Sequence, residues 1–546
     1  MSLNISVCQI NATVGDLEAN SRKILFFYEQ AARTGADLAV FSECCLCGYP
    51  PEDLLLRKSF LKSNLETLRE VAQKVRMPYA LIGFAYPKGD KVYNACALLG
   101  NRKILSIYNK RDLPNYGVFD EKRYFSPGTS LGLLKIKGYK IGISICEDIW
   151  NESAENICLK QAKSGARLLI NVSASPYHGG KFKVRYDLLR KRARQTRSAI
   201  LYVNLVGGQD ELVFDGKSFA LNSQGALILR AKSFEEDIKW VQLQTMKGTV
   251  KLVGGPNSIE PLTEEIEDIY RALKLGTKDY IEKNGFDRVV IGISGGIDSA
   301  LTAAIATDAF GKEKVLGVTM PSPYTSKQTL DDSKKLCENL GIELFTIPIH
   351  PIFDSYLKSL EPIFMGKERD ITEENLQSRI RGTLLMALSN KLSALVLTTG
   401  NKSEVSVGYS TLYGDTAGGF AVIKDVPKTL VYRLSNYVNK KAGRELIPQS
   451  IMDRPPTAEL KENQLDQDTL PPYDLLDQMI ESYVELDQGI ESLKREGFDP
   501  TLLKKIIRMI DLSEYKRRQS PPGVKITPKA FGRDRRMPIT SRYKEA

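Results

Sequence analysis

The stretch GISGGIDSA at residues 292–300 sets three glycines, two serines and one aspartate between the apolar run RVVI and a helix-like segment that begins at Ala300. Between a strand and a helix, Gly292, Ile293, Ser294, Gly295, Gly296, Ile297, Asp298 and Ser299 can turn successive backbone N–H groups toward an anion, with the helix N-terminus adding its positive end. The same residues also suit a plain tight turn in which Asp298 or Ser299 caps the helix. The commonest phosphate loop, G-x-x-x-x-G-K-[ST], carries a lysine that this one lacks. A second segment, TTGNKSEVSVGYSTLYGDTAGGF at 398–420, follows the apolar run SALVL and sets Thr399, Asn401, Lys402, Ser403 and Glu404 at a strand's expected carboxyl end. Open α/β sheets bind ligands at that edge. Asp298 and Glu404 then offer two carboxylates from separate loops, enough for a Mg²⁺ that keeps water and phosphate oxygens as its other ligands. Glu404 as a helix cap is the alternative.

Cys146 ends the apolar run GISIC and is followed by Glu147 and Asp148. Most buried cysteines only pack. A nucleophilic thiol needs a base and a positive neighbour, and with His178 and His350 the only histidines, a Cys-His pair has few options. A carboxylate base with a lysine is the remaining route. Glu43, Lys110 and Cys146 occur in that order, in FSECCLCGYPPEDLL, IYNKRDLPNYGVFDEKRYF and GISICEDIW. The crowded Cys44, Cys45 and Cys47 lack the second CxxC or histidine pair that a zinc site needs.

These groups must be carried by more than one domain, because 546 residues exceed a single ordinary core. Hydrophobic content of 42% and charged content of 26% are those of a globular protein. The start of the chain lacks the basic and apolar regions of a signal peptide, and no apolar run reaches the roughly 18 residues of a membrane span. We therefore expect a cytoplasmic chain without membrane contact. Eight cysteines in such a length do not suggest a disulfide framework.

Short β-rich runs alternate with helical periods through the first part of the chain: NISVCQI, ADLAVFSE, YALIGFAY, NACALL, KIGISICED, ARLLINVSAS, AILYVNLVGG, SFALNS and ALILRAK, with helices expected at 17–34, 60–76, 153–164 and 183–198. This predicts a layered α/β half. The pattern lapses into a Gly/Pro-marked connector, so the expected organisation is 1–245, a connector at 246–262, and 263–546. Beyond it RVVIGIS, VLGVTMP, ELFTIPIH and SALVLTTGN are each followed by a helical stretch, the pattern of a doubly wound parallel sheet. From Lys516 to Lys544 ten Lys/Arg face one acid, Asp534. Because SPPG, TPKAFG and MPIT interrupt that stretch, we expect an ordered, turn-rich segment facing polyanionic small molecules and no nucleic acid.

The SGGxDS pattern at 294–299 resembles that of the ATP pyrophosphatase (PP-loop) superfamily, whose loop holds the pyrophosphate that leaves when ATP is cleaved between its α and β phosphates. Glu43, Lys110 and Cys146 in their segments resemble the nitrilase family's Glu-Lys-Cys triad. LPNYGVFDEKRYF with SPYHGGK resembles the glutaminase domain of the glutamine-dependent NAD⁺ synthetases. MPSPYTS, TEENLQSRIRG, YGDTAGGF, RPPTAEL, DQDTLPPY and EYKRRQSPPGVKITPKAFGRD agree with that family, in its order, over most of the chain. The Cys44-Cys45-Leu46-Cys47 run and Thr416, where the family commonly has methionine, depart from it.

The resemblance implies a nitrilase-type α-β-β-α sandwich followed by a doubly wound PP-loop domain. It implies that Glu43 takes the proton of Cys146, that the thiol attacks glutamine, and that Lys110 with the backbone N–H after Cys146 stabilises the oxyanion. Tyr116, Ser175 and Lys181 match glutamine-binding positions. Residues 292–299 and Thr399 match an ATP site, Asn375, Glu404 and Lys516 match positions near deamido-NAD⁺, and Asp298 and Glu404 match ligands of Mg²⁺. Ammonia from glutamine, or free ammonia, would amidate deamido-NAD⁺ after its activation by ATP, in a homo-oligomer. Two other readings share some of these residues. GMP and asparagine synthetases share the loop but pair it with a Cys-His-Glu glutaminase or an N-terminal cysteine, whereas this chain has two histidines and opens Met-Ser. A non-catalytic nucleotide sensor would tolerate loss of Glu43, Lys110 and Cys146.

Overall fold

The computed structural model describes every residue except Met1, Ala154, Glu155, Lys247, Gly248, Asn463 and Ala546. The described chain forms two compact units, Met1–Glu264 and Glu265–Ala546.

The first unit stacks two mixed sheets. The seven-stranded sheet runs in spatial order Thr249–Gly254, Asp237–Met246, Ser2–Gln9, Leu38–Val40, Tyr79–Lys88, Lys91–Gly100 and Lys103–Asn109. The six-stranded sheet runs Leu227–Arg230, Phe219–Leu221, Ala199–Asn204, Leu168–Ser173, Tyr139–Ile145 and Leu133–Ile136. Alternation with period two divides each inner strand between two cores. Leu3, Ile5, Val7, Leu38, Val40 and Leu81 join Ile141, Ile143, Leu168 and Ile170 in the core between the sheets. The intervening Cys8, Ala39, Phe41, Ala80 and Ile82 pack on Ile24, Phe27, Leu68 and Val71 of the helices Leu17–Arg33 and Lys58–Lys74. Strands buried on both faces must be apolar at nearly every position, which is why these runs stand out in the sequence. With the helices Ile157–Lys163 and Lys181–Thr196 on the second sheet, the unit is an α-β-β-α sandwich.

Thr249–Gly254, inside the segment expected to be a connector, is instead a strand paired antiparallel with Asp237–Met246. Residues 237–244 of that strand in turn pair antiparallel with the whole of Ser2–Gln9. Backbone pairing at a sheet edge needs few apolar side chains, so the edge strand Thr249–Gly254 carries little hydrophobic signal.

The second unit holds a five-stranded, all-parallel sheet in the order Glu343–Thr346, Val315–Thr319, Val289–Gly292, Leu395–Thr398 and Phe420–Ala421. The chain starts in the middle at Val289–Gly292, winds outward through Val315–Thr319 and Glu343–Thr346, and then crosses back to Leu395–Thr398. Strand order therefore reverses beside the carboxyl end of Val289–Gly292, where a ligand crevice opens in such sheets. Among the described residues no helix is long and apolar enough to cross a membrane.

Candidate active sites

In the first unit the chemical groups sit just past strand ends. Glu43 follows Leu38–Val40, Lys110 follows Lys103–Asn109, and Cys146 follows Tyr139–Ile145. Glu43 and Lys110 are within 1% of complete burial. Lys110 Nζ donates to Glu43 Oε1 and to Glu121 Oε1, both at 2.8 Å. Glu43 Oε2 accepts from the Ala174 N–H at 2.7 Å. Burial pulls the Lys110 ammonium down, but Glu121 and Glu43 outweigh it and hold it well above its usual value. It is a fixed cation with two of its three donors in use among the described residues.

Cys146 has φ +40°, the left-handed region that costs an ordinary residue about 1 kcal/mol, and residues 146–149 then turn as a short 3₁₀ helix. The buried Asp148 carboxylate supports that turn. Its Oδ2 accepts from the Ile145 N–H at 2.8 Å and the Tyr108 hydroxyl at 2.7 Å, and its Oδ1 from the Arg111 and Asp112 N–H groups at 2.8 Å. Asp148 thus ties the Cys146 turn to the segment after Lys110. Burial still pushes its carboxyl up to about 6.

Burial first, then Glu43, raises the Cys146 thiol well above its usual value; Lys110 opposes them, while Glu147 and Glu121 add to the rise. The resting group is a thiol, so a base must take its proton as it reacts. This sets an expected outcome for labelling. Iodoacetamide should modify Cys146 ahead of Cys44, Cys45 and Cys47, which are fully buried where Cys146 is 4% exposed. The rate should climb with pH across the neutral range, slow with added glutamine, and fall roughly 10²-fold in Glu43→Gln. Peptide mapping of the alkylated sites checks this.

Of the three expected glutamine contacts, Tyr116 and Lys181 feel the charge of that thiol, and Ser175 follows Ala174, whose N–H bonds Glu43. The Tyr116 hydroxyl meets Glu147 Oε2 at 3.0 Å. Lys181 Nζ stands 4.7 Å from the centre of the Trp150 ring, and burial, then Arg185, lowers its ammonium. Ser175 is buried, its N–H donating to Asn204 Oδ1 at 2.9 Å. The charges of Cys146 and Glu147 act on both Tyr116 and Lys181. Sequence reasoning missed Glu121 and Asp148. Both lie in segments already singled out, but only the folded chain brings Glu121 onto Lys110.

In the second unit a cavity of about 430 Å³ opens at the strand-order reversal. Gly292 through Asp298, Thr399, Asn375, Glu404 and Lys516 all line it. Ser299 does not; its buried hydroxyl braces the loop from below, donating to the Gly296 carbonyl at 2.9 Å and accepting from the Ser294 N–H at 3.3 Å. Gly295 has φ +76°, and a Cβ there would lie 2.5 Å from the Thr329 carbonyl, so only glycine fits. The helix Ile297–Phe310 starts directly behind the loop and aims its N-terminus at the cavity.

Asn375 Oδ1 accepts from the Thr411 hydroxyl at 2.8 Å, and Lys516 Nζ donates to the Gly408 and Ser410 carbonyls, both at 2.8 Å. Lys516 is the one cation of the basic tail on the cavity wall. Arg517 and Arg518 pair with Glu514, Lys525 with Asp534, Lys529 with Asp487 and Arg535 with Asp511. The expectation that the whole tail faces a polyanion is corrected accordingly, since five of its ten cations pair with acids within the fold and only Lys516 lines the cavity.

Lys428, on the cavity wall, was missed. Its Nζ pairs with Asp298 Oδ2 and, at 3.2 Å, with Glu404 Oε1, while Asn401 Nδ2 holds Asp298 Oδ1 at 3.0 Å. Burial raises the Glu404 carboxyl against the pull of Lys428, and Asp298 adds to the rise. Lys428 is buried in the first turn of the helix Lys428–Ala442, against the helix dipole, a placement seen only in the folded chain. Because one ammonium bonds both carboxylates, Asp298 and Glu404 reach a common point from separate loops. Two hard oxygen donors beside a roomy cavity suit Mg²⁺, which takes few protein ligands when phosphates supply the rest. No cluster of three or more metal-ligating acids, histidines or cysteines occurs among the described residues.

Fold and sites together define a nitrilase-type amide-cleaving unit joined to an ATP-pyrophosphatase-type unit. Residues 4–249 match the carbon-nitrogen hydrolase family model and residues 269–520 the NAD synthase model. The chain is 48% identical to the glutamine-dependent NAD⁺ synthetase of Thermotoga maritima, covering 100% of this chain and 99% of that protein. It is 44% identical to that of Aquifex aeolicus, covering 99% and 100%. The solved structure of glutamine-dependent NAD⁺ synthetase from Acinetobacter baumannii in complex with adenosine diphosphate superposes with a TM-score of 0.80 at 41% identity, covering 99% of this chain and 98% of that one. The chain belongs to the glutamine-dependent NAD⁺ synthetases.

Proposed function

We propose that this chain makes NAD⁺ from deamido-NAD⁺, ATP and glutamine, with glutamine hydrolysed in the first unit and the dinucleotide amidated in the second. One observation carries the reading: a buried Glu43–Lys110–Glu121 cluster acting on Cys146 and a lysine-free phosphate loop at a strand-order reversal occur in one chain.

Glu43 takes the Cys146 proton as sulfur attacks the side-chain amide carbon of glutamine. The third donor of Lys110, with the Glu147 N–H, stabilises the oxyanion, an effect of about 3 kcal/mol per donor. Ammonia leaves with the proton returned by Glu43, and water then hydrolyses the thioester to glutamate. Tyr116, Ser175, Lys181 and Glu147 hold the amino-acid end of the substrate. The ammonia is then used in the second unit.

There the carboxylate of deamido-NAD⁺ attacks the α-phosphorus of ATP, pyrophosphate leaves into the loop 292–299, and ammonia displaces AMP from the adenylate. Thr399 contacts ATP; Asn375, Glu404 and Lys516 lie toward the dinucleotide. Asp298 and Glu404 would hold Mg²⁺, which supplies positive charge against the phosphates. Lys428 leaves its carboxylate pair for the same phosphates. A homo-oligomer paired through the second unit fits the exposed Ile363, Met365 and Ile371.

The reading is tested by product analysis with ATP, Mg²⁺, deamido-NAD⁺ and glutamine. One AMP and one pyrophosphate should appear per NAD⁺. ADP and phosphate as stoichiometric products would contradict it.

A further inference from the structure

Asn94 lies inside the strand Lys91–Gly100, fully buried, and its backbone carbonyl accepts from the Lys110 N–H at 2.8 Å. Its side-chain Nδ2 donates to Glu43 Oε1 at 2.7 Å and lies 3.5 Å from Glu121 Oε1. These are the two oxygens that Lys110 Nζ also holds. Asn94 therefore braces the cluster twice, once through the backbone of the lysine and once through the carboxylates. On the other side of the amide, Oδ1 accepts from the Cys44 thiol at 3.5 Å.

The amide can face only one way. Glu43 Oε1 and Glu121 Oε1 both accept from the Lys110 ammonium, so the NH₂ group must point at them. Turned over, the carbonyl oxygen would meet two carboxylate oxygens and lose its charge-assisted hydrogen bond. The remaining contact is a thiol, whose S–H suits the carbonyl oxygen. Cys44 follows Glu43 directly in the chain and is held at φ +48°.

We propose that Asn94 is a positioning residue for Glu43 and that the Cys44 thiol fixes the orientation of the Asn94 amide. This gives a use to one cysteine of the CCLC run, which the reaction otherwise leaves idle. Glu43 has to reach the Cys146 proton from one position, and a base displaced by a fraction of an ångström loses rate without losing substrate affinity.

The inference rests on the assignment of glutamine hydrolysis to Glu43 and Cys146, and the test separates the two. Steady-state glutaminase kinetics, ammonia-driven NAD⁺ synthesis and melting transitions are compared for Asn94→Leu, Cys44→Ala, Cys44→Ser and Cys146→Ala in the full chain. Asn94→Leu keeps the volume and removes the donor; glutaminase kcat should fall roughly 10- to 100-fold, the range seen when an outer support of a reacting group is lost. KM for glutamine should stay within about twofold, and the ammonia-driven rate should not change. Cys44→Ala should lower kcat by about 3- to 10-fold, and Cys44→Ser, which keeps a donor, should restore most of it. Unchanged kcat in Asn94→Leu and Cys44→Ala, a change confined to KM, or a Cys44→Ser variant as slow as Cys44→Ala would overturn the inference. A glutaminase that survives Cys146→Ala would instead overturn the underlying assignment.

Discussion

Cys146→Ala should lower glutamine-driven NAD⁺ synthesis by several orders of magnitude while leaving ammonia-driven synthesis intact. The substitution deletes the sulfur on which Glu43, Lys110 and Glu147 all act, and with it the thioester route. It leaves the second unit's cavity untouched, because every residue lining that cavity lies between Gly292 and Lys516. Loss of one buried sulfur costs about 1–2 kcal/mol in packing, too little to unfold a domain of this size. The comparison is made with glutamine and with an ammonium salt at mildly alkaline pH, after a melting transition shows the variant folded. Loss of both activities in a folded variant would mean that Cys146 is not confined to the glutaminase step.

Asp298→Asn should depress both reactions together, by roughly 10²- to 10³-fold, the effect of several kcal/mol of lost charge stabilisation. Asp298 sits in the first turn behind the phosphate loop and shares Lys428 with Glu404. Asparagine keeps the shape and removes the charge, so the loop survives while the pull on a bound cation weakens. Activation of deamido-NAD⁺ precedes the use of either nitrogen source, and neither can bypass the defect. Glutamine hydrolysis measured alone should persist. A variant that made NAD⁺ normally from ammonia would remove Asp298 from the nucleotide site.

Most inner strands of both units were legible because burial on both faces favours apolar side chains, as in VVI at 289–291 and LLI at 168–170. The hairpin of Asp237–Met246 and Thr249–Gly254 was not, since DIKWVQLQTM mixes polar and apolar residues and the edge strand Thr249–Gly254 closes its pairing with backbone groups. Cys146, Glu43 and Lys110 stood out because a histidine-poor chain restricts what can activate a thiol. Glu121, Asn94 and Lys428 did not, because their roles exist only where separate segments meet: Glu121 and Asn94 on the two sides of Lys110, and Lys428 between Asp298 and Glu404. The basic tail misled for the same reason. Asp487, Asp511 and Glu514, which pair with part of it, precede it in the chain, so a window over residues 516–544 counts those cations without their partners.

The central claim is that one chain moves the amide nitrogen of glutamine onto a dinucleotide carboxylate. Its most direct measurement is mass spectrometry of the NAD⁺ formed from glutamine labelled with ¹⁵N in the side-chain amide, with ATP, Mg²⁺ and deamido-NAD⁺ and without added ammonium. The account predicts NAD⁺ carrying ¹⁵N in its carboxamide, formed together with glutamate, AMP and pyrophosphate in equal amounts. Unlabelled NAD⁺, or glutamate released with no NAD⁺ formed, would contradict it.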